Sequence, residues 1–98
     1  MILLKIINSP QGNIVILCDE DLYGKEFING DKILKITSFY KGESVKGVDK
    51  SILEKANIIN AIGKKSIEIL IKNEIISKDE LKEIKYIKDI PYIFIVKE

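Results

Sequence analysis

The stretch "ANIINAIGKKS" (residues 56–66) decides how this chain folds, because its composition sits awkwardly with the periodicity around it. From about Lys50 to Asn73 apolar residues recur at helical spacing, with Asp49 or Ser51 as caps. At about 100° per residue, Ile52, Ala56, Ile59, Gly63, Ser66, Ile67 and Leu70 share one face. Glu54, Lys65, Glu68 and Lys72 fall on the other side. Two amides and a glycine then need a reason to be inside a helix. Mid-helix glycine costs about 1 kcal/mol against alanine. Gly63 on the apolar stripe therefore means either close approach of a neighbour or a joint where the helix ends near Ile62 and restarts. Asn60 lies on the flank shared with Leu53, Ile67 and Ile71, so its half-buried amide needs a partner. Asn57 shares a more polar edge with Lys64. The expectation is that Gly63 lets a segment approach and the Asn60 amide pins it.

Working outward, "ILLKIIN" (2–8) and "IVILC" (14–18) read as strands, joined through the turn "SPQGN" (9–13) into a hairpin with a loop of about four or five residues. "DEDLYGKEF" (19–27) begins with acids suited to a helix N-terminus and reaches Gly24, which predicts one short helical turn. After the turn signal Asn29-Gly30 comes a strand, "ILKITSFY" (33–40), and then a loop, "KGESVKGVD" (41–49). "SKDELKEI" (77–84) offers a second short helix with Ser77 and Glu80 in capping-box positions. "IPYIFIVK" (90–97) reads as a final strand, with Pro91 tolerated at its start or on an edge, which makes it the suspect exposed edge.

The order is β-β-(short α)-β-α-(short α)-β. It predicts an α+β fold with a mostly antiparallel or mixed sheet of about four strands, one long helix packed on it, and a single domain over residues 1–98.

The bulk numbers narrow the chemistry. The 98 residues are 46% hydrophobic and 32% charged with net charge +1, so any basic site must be local. Uncharged apolar runs are too short to span a membrane, and "MILLKIINSP" reads as a strand rather than a leader peptide. One cysteine, Cys18, forms no internal disulfide and fits a reducing cytoplasm. All basic residues are Lys and Ile dominates the apolar set, a skew that AT-rich coding or a hot habitat produces. With no His and one Cys, zinc fingers, Ser-His-Asp triads, Cys-His pairs and HExxH sites cannot be built from this chain. The phosphate-cradling glycine motifs are also missing. No cofactor or metal is expected.

Three constellations remain. Cys18-Asp19-Glu20-Asp21, with Lys25, is either a strand-end core cysteine followed by capping acids or a reactive cluster. Phe39-Tyr40-Lys41-Gly42-Glu43, followed by Lys46 and Lys50, is either core and solvated rim or a surface that stacks bases and holds phosphate. The 56–66 stretch offers Asn57, Asn60, Lys64 and Lys65.

"CDEDLYGKEF", "FYKGES", "ANIINAIGKKSIEI" and "DIPYI" in this order resemble the archaeal domain-of-unknown-function family 424. The helix pattern Ala-x-x-x-Asn-x-x-Gly of that family maps to Ala56, Asn60 and Gly63. Where many members carry a Val-Pro-His-like segment, this chain has Ile90-Pro91-Tyr92, so chemistry resting on that histidine is closed to it. The resemblance implies archaeal origin, a cytoplasmic location and an association with translation and RNA.

Taken together, the expected function is a non-enzymatic RNA- or ribosome-associated module whose contacts come from Tyr40, Lys41, Lys46, Lys64 and Lys65, with Asn57 and Asn60 as polar readers. The alternatives are a protein-interaction or homodimeric module using strand 90–97, and an enzyme using Cys18 or the acidic cluster.

Overall fold

The first two strands form the most regular hairpin in the chain. In the computed structural model, which describes residues 1–97, β1 (Ile2–Ser9) pairs antiparallel with β2 (Gly12–Asp19) from Ile2↔Asp19 to Ser9↔Gly12. The connecting loop is Pro10-Gln11 alone, tighter than the predicted four or five residues. Ser9 Oγ braces it by donating to the Gly12 carbonyl at 2.8 Å.

The long helix predicted over 50–73 divides into three elements. α1 (Lys50–Lys55) ends at Ala56, β6 (Ile58–Ile62) follows, and α2 (Lys64–Lys72) begins after Gly63. Ile59 and Ala61 are buried against the helical layer and Ile62 against the opposite cluster, while Ile58 and Asn60 are half-buried. A strand buried over much of both faces carries a near-continuous apolar run. Within that run Ile59 falls in phase with the apolar stripe of α1 and α2.

Sheet order is β5-β1-β2-β6-β8-β7, adding β5 (Glu43–Val45), β7 (Lys85–Ile87) and β8 (Ile90–Val96) to the strands already named. The β2–β6 pair is parallel and the other pairs are antiparallel, so the sheet is mixed. A separate hairpin of β3 (Glu26–Asn29) and β4 (Lys32–Lys35) lies against the face opposite α2. The α+β class therefore holds, with a six-stranded sheet and a two-stranded one in place of about four strands.

The predicted short helices are both 3-10 turns, Glu20–Leu22 and Glu80–Glu83. The Ser77–Glu80 capping box does form: Glu80 N donates to Ser77 Oγ at 3.2 Å and Ser77 N to Glu80 Oε1 at 3.1 Å. The strand expected to 40 stops at Lys35, and Ser38–Tyr40 is another 3-10 turn. Strand 90–97 is not an edge; β8 lies between β6 and β7, with Pro91 at its second position.

The core proper lies between the sheet and α1 with α2, where Ile2, Val15, Leu17, Leu53, Ile59 and Leu70 are among the buried residues. α2 closes with hydrogen bonds from Ile75 N to Leu70 O and from Glu74 N to Ile71 O, with Glu74 in the left-handed region at φ 58°. That is a Schellman stop, and Ile75 and Leu70 both join the core beside it.

Two side chains lock the parallel pair, one at each end. At its start, Asn57 Oδ1 accepts from Asn13 N at 2.9 Å, and Asn57 N donates to Asn13 O at 2.9 Å. A Cβ on Gly12, at φ 129°, would overlap that amide. At its end the Asp19 carboxylate, 6% exposed, accepts from Lys65 N at 3.1 Å, Ser66 N at 2.8 Å and Ser66 Oγ at 2.8 Å. Gly63 is the N-cap residue of α2 at φ 108°, and a Cβ there would overlap the Asp19 carboxyl group. Gly63 does admit a close neighbour, as expected, but the neighbour is Asp19. The Asn60 amide is half-buried and lies beside the Tyr40 hydroxyl rather than at Gly63, and Asn57 is the amide that pins the first hairpin.

Gly63→Ala adds both a strained φ and a collision with a buried carboxylate, and should cost roughly 2–4 kcal/mol. Gly30→Ala, at φ 64° with open space around it, carries only the backbone strain and should cost about 1 kcal/mol. Urea unfolding of the two variants checks the difference; equal losses would remove the steric role of Asp19.

Candidate functional site

Three surface features bear on function, and they lie in different places. The first is a cleft of about 360 Å³ at the carboxyl ends of β2 and β6, bounded by Asp19, Asp21, Lys64, Lys65, Lys88 and Pro91 among others. It contains the start of α2, where backbone N–H groups favour an anion. The Asp19 carboxylate already fills that role at Lys65 N and Ser66 N. Lys88-Asp89 forms the two-residue turn between β7 and β8 with φ of 46° and 69°, the left-handed pair of a type I′ hairpin.

The second feature is a shallow depression on the α2 side. Lys46, Lys65 and Lys72 line it with Glu68, over a floor that includes Ile2 and Ile69. Lys65 borders both the cleft and the depression, which makes the two surfaces continuous. Chain that is 20 residues apart in sequence order, around 46 and around 65, therefore shares one lysine-bearing face.

The third is the opposite face of the sheet. The β3–β4 hairpin covers only part of it, over Leu3, Cys18, Ile62 and Tyr92. The next row of cross-strand neighbours is Lys5–Ile16–Asn60–Phe94, and the row beyond it is Ile7–Ile14–Ile58–Val96. Phe94 is 60% exposed although its strand is internal to the sheet, and Phe39 is 48% exposed. Lys5 Nζ sits 5.0 Å from the Phe39 ring centre and donates to the Phe39 carbonyl at 3.0 Å. Phe39 meets Tyr40 edge-on, ring centres 5.2 Å apart. Burial raises the Tyr40 phenol above its ordinary value, and the Asn60 amide beside its hydroxyl works against that rise.

The residues named from sequence are thus divided. Lys46, Lys64 and Lys65 belong to the α2 side. Tyr40 and Asn60 meet on the opposite face. Lys41 borders a small hollow with Leu3, Glu20, Tyr23 and Gly42. Asn57 is at the far end of the β2–β6 pair from Gly63, tied to the first hairpin. Ala56 is buried at the end of α1. Sequence reading missed Lys5, Lys72 and Phe94. Their alternation within strands or helix could be read, but not which face the hairpin leaves open.

The acidic cluster does not converge. Asp19 points to α2, while Glu20 and Asp21 are exposed on the 3-10 turn and Lys25 is exposed beyond it. Cys18 is fully buried, so the reading of it as a nucleophile fails on access. Burial, reinforced by the charges of Asp19 and Asp21, pushes its thiol up from 9.0 to about 12. Among the described residues, no three His, Cys, Asp or Glu side chains gather to hold a metal ion, and no helix is long and apolar enough to cross a membrane.

A family model described as "Protein of unknown function (DUF424)" matches residues 7–97. No curated protein matches the chain. Among solved structures, the crystal structure of an uncharacterized conserved protein from Methanopyrus kandleri superposes with a TM-score of 0.77 at 23% identity, covering 99% of this chain and 93% of that one. At that identity the likeness concerns the fold.

Cys18 keeps its proton in the folded chain up to about pH 12, whereas the unfolded chain releases it near 9.0. The unfolded state then binds fewer protons, so stability falls as pH rises through that window, on the order of 1 kcal/mol per pH unit from this group. Urea unfolding between pH 8 and 10.5 should show this slope, and Cys18→Ala should flatten it. A thiol reagent should modify the native protein only as fast as it unfolds.

Proposed function

The chain belongs to the DUF424 family, and from that premise we propose that it is a binding module for RNA, gripping the phosphate backbone with the lysines of the α2 face. The observation that supports this reading is the convergence of Lys46, Lys65 and Lys72 on one depression, with Lys64 and Lys88 along the adjoining cleft. A chain of net charge +1 has no general attraction for polyanions, so it must concentrate its lysines where contact occurs. Glu68 is the one carboxylate on the depression; the neighbouring cleft carries Asp21 and Asp89 beside its lysines, and its Asp19 charge is already engaged by the amides of α2.

Long, flexible lysine side chains suit phosphate, which asks for charge more than for fixed geometry. Lys64, Lys65 and Lys72 sit on a nine-residue helix braced at both ends, so their spacing is set by backbone rather than by loops. Contacts of this kind position a nucleic acid without reading its sequence. The buried, protonated thiol and the dispersed acids favour binding over catalysis.

A duplex RNA titrated by fluorescence anisotropy should bind with an affinity that falls with salt, the logarithmic slope being about −2 to −3 for three phosphate contacts. Lys65→Glu with Lys72→Glu should weaken binding at 50 mM salt by at least tenfold and reduce that slope by about 2. No retention of RNA at low salt, or a double variant that binds as the wild type does, would sink the reading.

A further inference from the structure

We infer that the open face of the sheet is a second, separate nucleic-acid site: a stacking platform that takes two or three unpaired bases of a single-stranded RNA between Phe39 and Phe94. It goes beyond the phosphate-gripping role of the α2 face and uses none of its residues.

The platform lies over the cross-strand row Lys5–Ile16–Asn60–Phe94, in which Ile16 is buried. Lys5 stands over Phe39, Phe39 packs edge-on against Tyr40, the Tyr40 hydroxyl lies beside the Asn60 amide, and Asn60 is the cross-strand neighbour of Phe94. From β1 to β8 there are three strand spacings, about 14 Å in all. Sheets that bind single strands display aromatic rings on such a surface and stack two or three bases on them.

The exposure of the two rings is the central point. An internal strand with a covered face buries its aromatic residues, yet Phe94 stays 60% exposed, and Phe39 is 48% exposed. The row beneath them, Ile14–Ile58–Val96, extends the apolar surface, with Val96 at 59% exposure. Such a face attracts either bases or another protein. Charge distinguishes them here. Lys5 stands at one end of the track, and Lys82 and Lys85 border Phe94 at the other with Glu83. Lysines at both ends of an aromatic row match a strand of bases with phosphates on its outer side. A second copy of this chain would bring like charges against them.

Between the rings, Asn60 offers an amide donor and acceptor to the edge of a stacked base, and Tyr40 offers a hydroxyl. Both lie at the centre of the track, where a base edge would pass.

The test uses the whole chain and fluorescein-labelled oligo(U), with a duplex RNA of equal length as comparison. Phe94→Ala should weaken oligo(U) binding about tenfold while changing duplex binding less than twofold, and Phe94→Tyr should restore it. Thermal unfolding confirms that removing so exposed a ring leaves the fold intact. Lys65→Glu with Lys72→Glu should show the reverse selectivity. If Phe94→Ala leaves oligo(U) binding unchanged while the lysine variant loses duplex, the platform falls and the α2-face reading stands. If Phe94→Ala acts but the lysine variant does not, the platform stands alone. A concentration-dependent dimer that Phe94→Ala abolishes, with no effect on oligo(U), assigns the face to a second copy and overturns the proposal.

Discussion

The carboxylate of Asp19 at the start of α2 is the contact on which the rest of the arrangement depends. It joins the last residue of β2 to the first turn of a helix that begins more than forty positions later, through three hydrogen bonds to a buried anion. Charge-assisted bonds of this kind are short and strong, and a buried carboxylate without them would be costly. Helix α2 supplies no cap of its own, because its N-cap residue is Gly63. The glycine is needed twice over: for its φ of 108°, and because any side chain would occupy the space of the carboxylate. With Asn57 holding Gly12 and Asn13 at the other end, the parallel pair β2–β6 has its register fixed from both sides. Parallel ladders lack a tight hairpin to set register, so this job passes to side chains.

That lock divides the molecule into two surfaces of different character. On the α2 side the helices roof the middle of the sheet, leaving Ile6 and Tyr86 exposed on its outer strands, and lysines collect on the polar side of the helices. On the other side the β3–β4 hairpin and the Ser38–Tyr40 turn roof only the half of the sheet nearest Cys18. Beyond it Phe94 and Val96 stay exposed, while Ile16 is buried and Ile14, Ile58 and Asn60 are half-buried. Cys18 falls under the roof and is chemically quiet there. Phe94 falls beyond its rim. The inert thiol and the available ring are one row apart on the same face, on strands separated by β6.

How much of this could be read from residues follows the same division. The first hairpin was legible because Pro10, Gly12 and Asn13 mark a turn between two apolar runs, the first interrupted only by Lys5. The capping box at Ser77 and Glu80 was legible because it is local, even though the turn it starts is 3-10. β6 was hidden, since Ala56, Ile59 and Gly63 continue the helical spacing of α1 and α2, and a short apolar strand cannot be told from a buried helix segment by apolar spacing alone. Gly63 carried the information that would have broken the tie. A glycine with Lys-Lys-Ser after it is a good helix start, and its positive φ is inaccessible inside a helix. β7 was hidden for another reason: its hairpin turn is Lys88-Asp89, which takes left-handed φ values without the Asn-Gly signal that announces them. The pairing of Asp19 with Gly63 could not be read at all, because nothing local connects residues so far apart.

The same reasoning says where recognition belongs in such a chain. Rigid elements hold contact groups more precisely than loops do, and each surface described above has its central residues on helix or strand. Lys65 and Lys72 are carried by a helix fixed at both ends, and Phe94 and Asn60 by neighbouring internal strands. The stabilising interactions are all placed elsewhere: in the core between sheet and helices, at Asp19 and at Asn57. Exposed rings and lysines contribute little to that stability, so their positions are left to be explained by what they touch from outside. Removing Phe94 would leave every lock and the main core in place, and the fold therefore supplies no reason of its own for a large aromatic ring at that point. A partner with flat, apolar faces and negative charge along one side supplies one.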